Sequence, residues 1–244
     1  MRTSVLVTIL GMLACPVTVC ADRILIDDFL PGPDWTLNAS GSKTDLDAGP
    51  PYLHILGGQR DSTLAVADGS PTLQHDVLSP DRADDGVMHY RAHGGHATWS
   101  LEYSGTGGQL NADLLEESRE VFVVGFWYKS IPDAVPMTVT VTSGKGTSDE
   151  ATDSVTVDVV GTVGPDPVPE PHPHGTAMGV EVLYKDFTGI DFTDVDVVKF
   201  AFDCTGSTPD LVLEGVVNCP EPCTMGLLAL GGLALLRRKR GYGG

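Results

Sequence analysis

The chain has 244 residues and a formal charge of −18, from 33 acidic and 15 basic side chains. Between its two apolar ends the imbalance grows to 32 acidic against 10 basic residues, a charge that repels nucleic acid and anionic lipid and excludes both as electrostatic partners of the central part. That part, roughly 195 residues, is long enough for one sizeable core, and the 29 Gly and 17 Pro of the chain favour short strands and turns over helices.

The first element reads as an export signal. Arg2 supplies a positive start, Val5 to Leu13 form a short apolar run, and Val19-Cys20-Ala21 ends on a small residue before Asp22. These are the parts of a secretory signal peptide cut between Ala21 and Asp22, and the apolar run is too short for a permanent membrane anchor. The alternative is a lipoprotein site at Cys15, which Met12-Leu13-Ala14 precedes and Pro16 follows.

The central part breaks into ten candidate strands between Gly, Pro, Asp and Ser clusters: 24–29, 63–66, 86–92, 97–103, 120–129, 137–143, 154–160, 180–186, 196–203 and 210–216. Residues 121–128 are apolar on both faces, which marks a central, buried strand. In 196–203, Val198, Phe200 and Phe202 alternate with Val197, Lys199 and Ala201. Leu110 to Ser118 carries the one helical signal, enough for a turn or a short helix. Gly94-Gly95 predicts a two-residue hairpin with Tyr90 opposite Trp99 and Met88 opposite Leu101. Ten short strands at this spacing predict an all-β domain, two antiparallel sheets packed face to face.

Few residue patterns in this domain point to chemistry. His89, His93 and His96 have the spacing of a metal site on a helix, but on a hairpin at most two of them meet, so they read as solvated turn residues. Arg60-Asp61 after Gly57-Gly58 reads as a structural pair at a bend. Trp35, Tyr52, Trp127 and Tyr128 are the bulky aromatics that could stack on a sugar, with core packing as the plainer role. There is no Gly-x-Ser-x-Gly, phosphate loop or His-Glu-x-x-His, and no carboxylate pair stands out as an acid/base couple. With Cys15 and Cys20 in the signal, Cys204, Cys219 and Cys223 remain, and strand spacing places Cys204 too far from Cys219 for a disulfide.

The last segment, 218–244, has three parts in order: Pro220-Glu221-Pro222, the apolar run Met225 to Leu236, and the basic cluster Arg237-Arg238-Lys239-Arg240. The basic cluster stays on the cytoplasmic side, the apolar run halts in the bilayer, and the two prolines hold an extended peptide at its outer face. The tail resembles the PEP-CTERM sorting signal, which exosortase-type membrane enzymes recognise and process. It departs from that pattern in the cysteines around Pro-Glu-Pro and in its short apolar run, 12 residues, or about 18 Å as a helix. A plain C-terminal anchor is the alternative. The expected organisation is therefore a signal at 1–21, a β-sandwich at 22–217 and a sorting tail with a short hydrophobic helix at 218–244.

Three stretches of the body, Ile26-Asp27-Asp28-Phe29, Leu56 to Asp61 and Asp191 to Asp196, are similar to parts of jelly-roll sandwiches of the galactose-binding or carbohydrate-binding-module type. That resemblance implies a jelly roll whose first and last strands run close together, with Asp27, Asp28, Asp210 and Glu214 as candidate ligands of a structural Ca²⁺; aspartates that cap turns are the alternative. No other cofactor is expected. The functional expectation is an exported, non-catalytic cell-surface or extracellular-matrix protein, with export machinery, an exosortase-type enzyme and the membrane as partners. The alternatives are a module that binds extracellular polysaccharide and, third, a glycan-active enzyme.

Overall fold

The computed structural model describes residues 24–29, 33–47, 55–77, 86–115, 119–163 and 178–220. The signal segment with Ala21 and Asp22, the tail from Glu221 onward including the Arg237–Arg240 cluster, and Tyr52 lie outside the described residues.

Period-2 alternation builds the molecule. In β9 (Val135–Ser143) every second residue is buried, so Val135, Met137, Val139 and Val141 enter the core while Pro136, Thr138, Thr140 and Thr142 face away. Thirteen other strands accompany it among the described residues: β1 (Ile24–Asp27), β2 (Trp35–Leu37), β3 (Gly41–Leu46), β4 (Gln59–Asp68), β5 (Thr72–Val77), β6 (Gly86–Arg91), β7 (His96–Tyr103), β8 (Arg119–Ser130), β10 (Ala151–Val159), β11 (Thr162–Val163), β12 (Met178–Leu183), β13 (Val195–Asp203) and β14 (Asp210–Pro220). They form two antiparallel sheets, an all-β jelly-roll sandwich. One sheet runs β11-β8-β14-β6-β5-β2, with β1 on β14 and β12 on β8; the other runs β10-β9-β13-β7-β4-β3. The last two strands occupy the sheet centres, β14 between β8 and the β6/β1 pair, and β13 between β9 and β7.

All ten expected strands are present. β8 is central and buried, and β4 is longer than its apolar pattern. Two expectations fail. The turn at Gly94 is not a hairpin, because β6 and β7 belong to different sheets. Left-handed His93 (φ 48°) and Gly94 (φ 74°), with Gly95 N–H donating to Ala92 O, send the chain across the sandwich instead. Gly95 sits so close to the neighbouring crossover that a Cβ there would lie 2.6 Å from Asp68 O. Tyr90 and Trp99 meet as expected, but by stacking across the core, ring centroids 5.8 Å apart. Residues 110–115 form no helix: Asn111 is left-handed (φ 49°) and Ala112 bridges to Val195, while 116–118 of the expected element lie outside the described residues.

Two aromatic groups fill the core. At one end Trp99 stacks on Phe202 at 4.0 Å, beside Tyr90 and the buried thiol of Cys204. Burial pushes that thiol up to about 12, so it stays protonated and inert. At the other end Tyr184 and Phe192, stacked at 3.9 Å, come from the short turn Tyr184–Asp186 and the loop after it, and they close the core beneath Phe122. This inward pull ends the expected 180–186 strand at Leu183. Cys204 and the backbone of Cys219 stand at opposite ends of the sandwich, nine residues apart along β14 from Asp210 onward, or about 30 Å.

Candidate functional site

The most organised polar group is sealed inside the sandwich. β4 carries Arg60 with inward parity, in line with Ser62 and Leu64, so its guanidinium enters the core at 0% exposure. Its Nη1 donates to both carboxylate oxygens of Asp27 on β1 (2.9 and 2.7 Å). Nη2 and Nε donate to Asp45 Oδ2 on β3 (2.7 and 3.2 Å). The remaining acceptor capacity is used too. Tyr103 OH on β7 and the Phe29 N–H each donate to Asp27 at 2.8 Å, and Trp35 Nε1 donates to Asp45 at 2.9 Å. The guanidinium carbon lies 5.1 Å above the Phe29 ring. Phe29 itself is left-handed (φ 57°), which turns its carbonyl onto His75 Nε2 at 2.6 Å.

Electrostatics fit a permanent joint. Burial pushes the Asp27 carboxyl above its ordinary value, with Arg60 pulling the other way; burial also pushes the Tyr103 phenol well up, so it stays a donor. For Arg60, burial is the largest influence and would lower the guanidinium, but Asp27, Tyr103 and Asp45 together outweigh it and hold it charged. Every oxygen of Asp27 is occupied and no solvent reaches it. This cluster can hold strands together and has no free group with which to bind or react.

The second polar group is on the outer face of the β14 sheet. Register aligns Asp210 with Arg91, and Val212 with His89, which in turn faces Gln74. His89 Nε2 lies 2.8 Å from Asp210 Oδ1 and 2.9 Å from Arg91 Nε, and Gln74 donates to Asp76 at 2.6 Å. Arg91 is exposed, whereas His89 is 7% exposed. A recessed imidazole between a carboxylate and a guanidinium offers donors and acceptors side by side, the groups that polyols need.

The residues expected as sites fall as follows. His89, His93 and His96 are not brought together: His89 is on β6, His93 in the turn, and His96 on β7 against Asp68 at 2.8 Å. His89 is thus buried and not a solvated turn residue. Among the described residues no three His, Cys, Asp or Glu side chains group as a metal site. β1 does pair with β14, as the first and last strands were expected to, but Asp27 is opposite Val216, six residues or about 20 Å from Asp210. Asp27 is taken by Arg60 and Asp210 by His89, while Asp28 is half-buried and Glu214 exposed. The four do not converge on one cation. Arg60 pairs with Asp27 and Asp45, and Asp61 points the other way to Thr44 and Gln59. Trp35 is half-buried, and Trp127 and Tyr128 lie on β8 at its bulge against β14. Sequence reasoning missed the role of Arg60; its shared parity with Leu64 and Val66 was the available signal.

No protein-family model and no curated protein matches the chain. Among solved structures it is similar to a family 11 carbohydrate-binding module from Clostridium thermocellum, solved in complex with a β-1,3-1,4-mixed-linked tetrasaccharide. Identity is 11% and the TM-score 0.35, over 81% of this chain and 95% of that one. It is also similar to TmCBM61 in complex with β-1,4-galactotriose (9%, 0.33, 64% and 86%). A third likeness is to the enzymatically active domain of tailspike protein 4 of bacteriophage CBA120 (12%, 0.35, 65% and 19%). At TM-scores of 0.33–0.35 these superpositions are too loose to carry a residue or a ligand from one chain to another.

Arg60→Ala leaves two buried carboxylates without their cation, and urea unfolding is expected to show a loss of about 3–5 kcal/mol. Lys43→Ala, on the exposed strand β3, is expected to change stability by no more than about 0.5 kcal/mol.

Proposed function

We propose that the chain is an exported, surface-destined protein with a non-catalytic sandwich, delivered by its signal and sorted through its Pro220-Glu221-Pro222 tail by an exosortase-type enzyme. One observation carries this reading: β1 and the C-terminal half of β14 are hydrogen-bonded neighbours, with Ile24 opposite Asn218. The described chain therefore enters the sandwich at Ile24 and leaves it at Pro220 on the same end. This geometry suits a body released from a signal and then held by a tail, since neither end has to thread past the fold. The sealed state of the best-formed ionic cluster also supports a passive body, because Asp27, Asp45 and Arg60 are closed to any substrate.

A second reading rests on the outer face of the β14 sheet. There Arg91, His89, Asp210, Gln74 and Asp76 form a polar row suited to a neutral or weakly charged glycan. Such a module would associate the surface protein with extracellular polysaccharide, and the two readings are compatible.

Fractionation of cells that make the full chain is expected to recover the sandwich outside the cytoplasm, and a chain starting at Asp22 is expected to stay inside. Cytoplasmic retention of the full chain contradicts the delivery reading. For the second reading, residues 22–220 are expected to be retarded in gels that contain polysaccharide, with Arg91→Ala weakening retention roughly 10-fold, the loss of a charge-assisted hydrogen bond. No retardation by any polysaccharide removes it.

A further inference from the structure

His75 lies on β5 with inward parity, opposite Trp35 of β2 and Met88 of β6, and is fully buried. Both of its ring nitrogens face backbone oxygens. Nε2 is 2.6 Å from Phe29 O, and Nδ1 is 3.2 Å from Pro33 O. A carbonyl oxygen only accepts, and a neutral imidazole carries a single N–H. A neutral ring would hold one carbonyl and set a lone pair against the other, at a position closed to solvent. The imidazolium satisfies both.

The surrounding charges favour that form. The joint beside it has one cation, Arg60 of β4, against two carboxylates, Asp27 of β1 and Asp45 of β3. Arg60, Phe29 and Tyr103 of β7 donate to Asp27, and Arg60 and Trp35 donate to Asp45. A proton on either carboxyl would compete with these donors, so the excess negative charge calls for a cation nearby. Two residues link His75 to the joint. Phe29 donates its N–H to Asp27 and turns its carbonyl to Nε2. Trp35 donates to Asp45 while its ring lies 5.8 Å from the imidazole, tilted by 32°, within cation–π range. Met88 brings no charge. Asp28, Asp34 and Asp76, next in sequence to these groups, add negative charge only, and Lys43, two residues before Asp45 on β3, is exposed.

We propose that His75 is a buried imidazolium that balances the charge of the Arg60 joint and makes the seating of β1 depend on pH. Phe29 follows β1 and Pro33 precedes β2, so one ring pins both ends of the link between them. Loss of its proton turns one of the two contacts repulsive and restores the uncompensated charge. When β1 and this link open, the ring meets water, where an imidazole is neutral above about pH 6.5. The closed state then holds one proton more than the open one. Opening therefore grows by up to about tenfold per pH unit above that value and is level below it. The first strand is held in mildly acidic surroundings and loosened in alkaline ones.

The test follows the full chain, purified in detergent with isotope-labelled histidine rings, by NMR across a pH series. His75 is assigned by its cross-relaxation with the Trp35 ring and by its loss in His75→Gln. Its ring is expected to keep both N–H groups at about pH 7.5, a unit above the ordinary imidazole value. In Asp45→Asn, which removes one of the two negative charges, the same ring is expected to give up its proton at a lower pH; a histidine that only fills space would not respond. Amide exchange of 24–29, corrected for its intrinsic pH dependence, is expected to rise by up to about tenfold per pH unit above about pH 6.5 in the native sequence. In His75→Gln it is expected to stay level. A His75 ring that loses its proton together with the exposed histidines overturns the proposal, and so does native exchange of 24–29 that is level with pH. The rival seat for the proton is Asp27, which burial pushes upward. A neutral His75 with a carboxylic-acid band in the infrared that Asp27→Asn removes would place the proton there and overturn the proposal as well.

Discussion

One buried cation, Arg60, fixes how this sandwich closes. It lies on the β10-to-β3 sheet and reaches across to Asp27 of β1, which belongs to the other sheet, while holding Asp45 of its own neighbour β3. Three charges in a dry interior are costly unless each has a partner. Here the Tyr103 hydroxyl, the Trp35 indole and the Phe29 N–H take the carboxylate positions that Arg60 leaves. Apolar burial alone would let β1, only four residues long, slide along β14. The contact of Arg60 Nη1 with both Asp27 oxygens, while Nη2 and Nε hold Asp45, favours one register.

The position of β1 in turn sets the geometry of the whole chain. Seated beside the last residues of β14, it brings the start of the domain next to its finish. The aromatic lid of Tyr184, Phe187 and Phe192 closes the same end of the core over Phe122. The opposite end is built from crossovers between the sheets, and the close approach of Gly95 and Gly69 keeps them compact. The end beside β1 also carries two crossovers, β7 to β8 and β12 to β13.

Much of this architecture could be read in the residues. β7, β9 and β13 alternate cleanly because one face of each is core, and β8 is apolar on both faces because it is central. The strands that escaped notice carry no such pattern. β3 is exposed along almost its whole length and is a strand only because β4 pairs with it. β5 hides its alternation because His75, fully buried, occupies a core position. The crossover at Gly94 was misread because local turn chemistry does not say which sheet the next strand joins. The Arg60 joint escaped for a related reason: Asp27, Asp45 and Arg60 are distant in sequence, and only the closed fold reveals that their charges meet. The outer row of Asp210, His89 and Arg91 likewise depends on β14–β6 register.

The account depends on Arg60 holding β1 in place on β14, and amide hydrogen exchange on residues 22–220 addresses this most directly. In the native sequence, peptides covering 24–29 are expected to exchange as slowly as those covering 210–218, and in Arg60→Ala the first set becomes fast while the second stays slow. Fast exchange of 24–29 in the native sequence would contradict the account, because the joint would then not be what seats the first strand.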